Sequence, residues 1–236
     1  MTAVSAGTAL VTGGSRGIGL AVARTLASAG YRVAMLARSV DELTARAAEV
    51  GGEPIVCDVT DSGAVSRATD AIVKSFSGAP DVLVNNAGIF DLATVEETSL
   101  VAFRRSLDVN LVAPFLLVHN FLPAMRERGT GHIVTICSVA DRTVFPENGA
   151  YSASKYGLRA LHEATRAELR GTGLRATLIS PSAVDTPIWD QHSPDTRPGF
   201  TRRRNMLRPE AVAAAVLYAV TQPADVNVDE LRISRS

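Results

Sequence analysis

Short apolar runs alternate with stretches whose apolar residues recur every three or four positions, along nearly the whole chain. Runs at 8–12, 31–37, 54–59, 81–85, 131–138 and 174–180 have the length and composition of buried strands, and 229–233 reads as a last one. After the first run, Ile18, Val22, Thr25 and Leu26 follow helical spacing until Gly30 stops the pattern. Helices are expected at 41–50, closed by Gly51 and Gly52, and at 62–76, 99–128, 150–170 and 210–221. Pro114 is expected to kink the longest of them, and Pro209 suits the first turn of the last. Residues 181–208 read as a loop. Strand–helix alternation without repeats or linkers predicts one α/β domain over residues 1–236, a parallel sheet with helices on both faces.

Three groups of residues carry candidate chemistry. Thr12-Gly13-x-x-x-Gly17-x-Gly19 joins the first strand to its helix. Glycines there let the backbone turn sharply and approach a pyrophosphate at a helix N-terminus. The second strand ends in Ala37-Arg38-Ser39, without the acid that would accept a free ribose 2′-hydroxyl, and Arg16 lies in the glycine loop. Two guanidiniums suit a 2′-phosphate, which predicts NADP(H). Tyr151 and Lys155, four apart on an expected helix, project from one face. A phenol ordinarily ionises near ~10, and an adjacent ammonium favours its phenolate, which suits proton transfer to a carbonyl oxygen. Such a pair is common in helices, so its weight comes from its company.

That company is Asp58, Asn85-Asn86-Ala87-Gly88, Asn110, Ser138 thirteen residues before Tyr151, Pro181 and Thr186. Together with the glycine motif, over residues 8–186, these make the chain resemble the short-chain dehydrogenase/reductases. The resemblance implies a Rossmann-type doubly wound sheet of about seven parallel strands and reduction of a carbonyl with NADPH. Tyr151 would be the general acid, and Lys155 would assist it and bind the nicotinamide ribose. Ser138 would hold the substrate oxygen, and Asn110 would anchor a water behind Lys155. Gly13, Ser15, Arg16, Gly17, Ile18 and Gly19 would cradle the phosphates, with Arg38 and Ser39 at the 2′-position. Asp58 and Val59 would border adenine, Asn86, Ala87 and Gly88 the adenosine ribose, and Pro181, Val184 and Thr186 the nicotinamide. Residues 187–208, with Ile188, Trp189 and Phe200, fall where the family has its substrate lid. The family commonly associates through helices equivalent to 99–128 and 150–170, so a homodimer or homotetramer is expected.

Two departures stand out. Ser182 follows Pro181 where the family usually has glycine, and the ending at 226–233 lacks the glycine-rich tail common in acyl-carrier-protein ketoreductases. The substrate expected is therefore a small ketone, diketone, keto ester or similar carbonyl, with a 3-oxoacyl group on acyl-carrier protein as the alternative. An NAD-dependent alcohol dehydrogenase would favour an acid at position 37, where Ala37 stands. An epimerase or dehydratase of the extended branch would be longer with different glycine spacing. A non-catalytic dinucleotide sensor would lack Tyr151, Lys155 or Ser138.

Composition narrows the setting. Lysine plus arginine equals aspartate plus glutamate, 24 each, so no charge excess points to nucleic acid or an anionic membrane. No secretory pattern opens the sequence, and no uninterrupted apolar run reaches the ~18 residues of a membrane span. Cys57 and Cys137 sit in separate apolar runs and read as reduced core thiols, which predicts a cytoplasmic protein. The four histidines have no metal-ligand spacing, and Arg202-Arg203-Arg204 reads as a solvated loop.

Overall fold

The computed structural model describes residues 6–236; the first five residues, which the domain range and the N-terminal reading include, lie outside it. Seven strands form one sheet: β1 Gly7–Thr12, β2 Tyr31–Ala37, β3 Glu53–Val56, β4 Val82–Asn85, β5 Gly131–Ile136, β6 Leu174–Pro181 and β7 Glu230–Ile233. Their order is β3-β2-β1-β4-β5-β6-β7, and every adjacent pair is parallel. The chain winds outward from β1 to β3, then returns across β1 to β4. Connections therefore diverge above the C-terminal ends of β1 and β4 and leave a crevice there.

Period-two alternation in the inner strands supplies both cores. Ala9, Val11, Val33, Met35 and Val84 pack with α1 (Gly17–Ser28), α2 (Val40–Val50) and α7 (Pro209–Val220). Leu10, Leu36, Leu83 and Ile133 face the other way, against α3 (Ser62–Phe76) and α5 (Ala113–Arg128). Each fully buried leucine of this kind contributes about 2 kcal/mol of transfer free energy. The small residues Ala21 and Ala23 let α1 lie close to the sheet.

The structure departs from the sequence expectations at three places. β3 stops at Val56, because Cys57 leaves the ladder after one bond to the Ala37 carbonyl and Asp58 and Val59 turn into the crevice. The long helix divides into α4 (Leu100–Leu107), a π-helical turn at Asp108–Val112, and α5. The irregularity thus precedes Pro114 rather than falling on it. Pro114 cannot donate to the Asn110 carbonyl and its ring crowds that oxygen, and the wider π turn relieves the crowding. The presumed loop after β6 contains two 3₁₀ turns, Pro187–His192 and Arg203–Asn205.

The span Leu100–Arg128 is 29 residues long with a window of mean hydropathy 1.3, enough by length and composition to cross a membrane. Here Leu117, Phe121 and Met125 spend that hydrophobicity on the sheet, where each is buried. The remaining helix, α6 (Gly149–Glu168), lies beside α4 and carries Tyr151 and Lys155 in its first two turns.

Candidate active site

A cleft of about 460 Å³ follows the crevice above β1 and β4. Its floor is the glycine loop, which the backbone makes inaccessible to side chains. Gly13 and Gly17 have φ of +65° and +55°, and a Cβ on Gly19 would lie 2.1 Å from the Gly13 carbonyl oxygen. The Oγ1 of Thr12, at the end of β1, receives the N–H groups of Asn86 and Ala87, each at 2.9 Å. Asn86 Nδ2 in turn donates to the Thr12 carbonyl at 2.8 Å. The loops after β1 and β4 are thereby fastened to each other.

Of the residues expected at the site, Gly13, Ser15, Arg16, Gly17, Ile18, Arg38, Ser39, Asp58, Val59, Asn86, Ala87, Gly88, Tyr151, Lys155 and Thr186 line this one cleft. Gly19, Asn110, Ser138, Pro181 and Val184 stand outside its lining. Arg16 and Arg38 are both exposed at its rim. Asp58 Oδ1 accepts the Thr60 N–H and hydroxyl at 3.0 and 2.8 Å. The backbone bond from Thr60 leads in holding this carboxyl below its usual range, and the Arg38 charge adds to it.

At the far end, Lys155 is only 4% exposed and donates from Nζ to the Ile136 carbonyl at 3.2 Å. The ammonium lies 5.7 Å from the Tyr151 ring centre. Asn110, on the π turn, is fully buried with its amide fully engaged. Oδ1 accepts the Ile89 N–H at 2.8 Å, and Nδ2 donates to the Ile89 carbonyl and to Ser154 Oγ, both at 3.0 Å. Ser154 Oγ then donates to the Tyr151 carbonyl at 2.6 Å. The Asn110 side chain thus clamps α6 to the loop after β4.

Ser138 caps a 3₁₀ turn at Val139–Asp141, its Oγ accepting the Ala140 N–H at 3.1 Å. Asp141 behind it is completely buried. Burial pushes this carboxyl's pKa up, but bonds from Arg142 and Ser180, at 2.6 and 2.5 Å, outweigh that and hold it below the usual range. Ser182 takes no left-handed backbone and donates its N–H to the Ile233 carbonyl at 2.8 Å, so serine fits here without strain. Val184 is buried, bridged to Leu207, and its carbonyl accepts Trp189 Nε1 at 3.0 Å.

The segment after Thr186 folds back over Tyr151. Phe90 meets the Tyr151 ring edge-on at 4.8 Å and the Trp189 ring at 5.1 Å, while Trp189 meets Phe200 at 6.2 Å. Arg203 ties the segment down through Asp185 at 2.9 Å and Asp190 at 2.5 Å, so one residue of the arginine triplet is committed rather than solvated. His132 and His162 are buried, each against a threonine hydroxyl, and Cys57 and Cys137 are free buried thiols. Burial pushes those thiols up to about 11 and about 12.

Two contributors escape sequence reading. Phe90 follows the Asn-Asn-Ala-Gly segment, where an aromatic carries no signal of its own. Glu42 lines the cleft from α2 and accepts the Ser15 hydroxyl at 3.1 Å, a contact across 27 residues that only packing creates.

The arrangement fits a dinucleotide. The glycine floor has no room for side chains of its own, Gly17 and Ile18 at the start of α1 line the cleft, and Tyr151 and Lys155 line it too. Comparison with known proteins agrees. A family model described as short chain dehydrogenase matches residues 7–197. An uncharacterized oxidoreductase of Staphylococcus saprophyticus is 34% identical over 231 residues, 95% of each chain. The D-threitol dehydrogenase of Mycolicibacterium smegmatis is 35% identical over 225 residues, covering 92% of this chain and 86% of the relative. A metagenomic short-chain oxidoreductase solved in complex with NADP superposes with a TM-score of 0.84 at 32% identity, covering 98% of both chains. Sheet order, cleft and relatives converge: the chain belongs to the short-chain dehydrogenase family.

Proposed function

We propose that this oxidoreductase reduces a ketone or related carbonyl to an alcohol with NADPH, Tyr151 acting as the general acid. The observation that carries the reading is the buried Lys155 ammonium, held by the Ile136 carbonyl beside the Tyr151 ring at the end of the cleft. A bound nicotinamide dinucleotide supplies the hydride. Tyr151 Oη delivers the proton to the substrate oxygen, and Lys155 stabilises the negative charge left on that phenol. Ser138 Oγ, already accepting from Ala140, has its own proton to offer the carbonyl oxygen. The Asn110 side chain holds the helix that carries Tyr151, and Asn110 is the residue that would anchor a water behind Lys155.

NADP rather than NAD is supported by Arg16 and Arg38 at the rim, by Ala37 where an acid would stand, and by the NADP complex of the metagenomic relative. The chain of rings from Phe90, which meets Tyr151, through Trp189 to Phe200 favours a substrate with apolar substituents. The unpaired thiols accord with a reducing cytoplasm. Tyr151→Phe removes one oxygen from a ring that keeps its contact with Phe90. It should bind NADPH as the parent does, by fluorescence titration, yet lose roughly 10²–10⁴-fold in kcat. A variant within a few-fold of the parental rate would assign the acid elsewhere.

A further inference from the structure

The residues that would receive a 2′-phosphate include one of the wrong sign. Ser15, just before Arg16 in the glycine loop, is buried to 6% exposure, and its Oγ donates to Glu42 Oε2 at 3.1 Å. Glu42 lies in the first turn of α2, and Arg38, Ser39 and Glu42 line the same cleft as Ser15 and Arg16. Neither Arg16 nor Arg38 forms an ion pair with it: among the described residues the ion pairs at this edge are Arg24 and Arg46 with Glu49, on the outer side of α2. A carboxylate therefore sits in the anion site, uncancelled by direct contact.

We propose that Glu42 is a specificity-determining residue that weakens binding of the 2′-phosphorylated cofactor and so narrows the preference for NADPH over NADH. The inference rests on the reading of Arg16 and Arg38 as the 2′-phosphate site. A phosphate monoester carries nearly two negative charges at neutral pH. Two guanidiniums balance it; Glu42 leaves the group one charge in excess. Binding the phosphate also takes the Ser15 proton from Glu42, leaving the carboxylate facing an anion across a half-open site. NADH, with a hydroxyl at that position, meets neither penalty.

The test is fluorescence titration of NADPH and NADH against the intact protein, Glu42→Gln and Arg38→Ala. Glutamine keeps an acceptor for Ser15 and removes only the charge. Asp41→Asn, its exposed neighbour in the same helical turn, controls for the lost favourable charge at the α2 N-terminus. Glu42→Gln should tighten NADPH about five- to tenfold and leave NADH within about twofold, the gain shrinking as salt is raised. Asp41→Asn should change neither. A NADPH-to-NADH affinity ratio unchanged by Glu42→Gln overturns the inference, as does selective weakening of NADH, which would make Glu42 the acceptor of a ribose 2′-hydroxyl. Failure of the underlying reading looks different: the parent would bind both cofactors alike and Arg38→Ala would weaken both equally. Were Glu42→Gln unstable by thermal melting, Glu42→Ala gives the same comparison without an amide.

Discussion

Buried imidazoles set how this protein responds to acid. His132 Nε2, on β5, lies 2.8 Å from Thr177 Oγ1, and His162 Nδ1, on α6, lies 2.9 Å from Thr135 Oγ1. Burial, with lesser repulsion from Arg175, pushes His132 down to about 3, and burial likewise pushes His162 down to about 4. In the unfolded chain both return to ~6.5. Between those values the unfolded state binds more protons, so folded stability is full above about pH 6.5 and falls as pH drops. Each imidazole should cost about 2 kcal/mol by pH 5, before carboxylates such as Asp141 begin to titrate. Urea unfolding at pH 7 and pH 5 measures this, and His162→Gln should flatten the slope. Equal stability at the two pH values would contradict the burial argument. Residue identity revealed Tyr151, Lys155, Arg16 and Arg38 because each type does unusual chemistry at a fixed spacing. Glu42 was hidden because its relation to Ser15 exists only once α2 lies beside the glycine loop.

The segment after Thr186 is ordered at the scale of the element. Its order comes from a few polar ties: Arg203 to Asp185 and Asp190, Gln191 Nε2 to the Phe90 carbonyl at 3.0 Å, and Arg197 to Glu147. No apolar stripe of helical period pins it, which is why residues 181–208 read as loop from sequence. Arg203→Ala should loosen it, raising KM for the carbonyl several-fold and exposing residues 187–208 to protease, with thermal stability of the whole changed by less than ~1 kcal/mol. Unchanged KM with unchanged proteolysis would mean the ion pairs are incidental. The long helix shows the complementary limit. Its hydrophobic period is continuous from α4 to α5, so the π turn that places Asn110 beside Ile89 and Ser154 left one trace, Pro114 four residues later.

At the scale of the molecule, alternation of apolar runs with helical periods pointed to one parallel sheet with helices on both faces, because each strand buried on both faces must be apolar throughout, while its doubly wound form came from the family resemblance. Strand order and the cleft emerged only with the structure. What period and composition could not carry is the outer surface of α4–α6, where Val101, Val112, Phe115 and Tyr156 remain 40–77% exposed in the isolated chain. We propose that a second copy of this chain covers them, as the family resemblance implies. Sedimentation equilibrium should then give a dimer or tetramer, with Phe115→Asp shifting it toward monomer; a parental monomer at micromolar concentration would refute the assignment.

The central claim is that Tyr151 and Lys155 turn over carbonyls with NADPH. The most direct measurement is loss of reduced-nicotinamide absorbance with a panel of ketones, diketones and keto esters, comparing NADPH with NADH and the parent with Tyr151→Phe. The account predicts turnover on at least one class, faster with NADPH at limiting cofactor, abolished in the variant. Tight NADPH binding with no turnover on any carbonyl, or turnover indifferent to Tyr151, would contradict it.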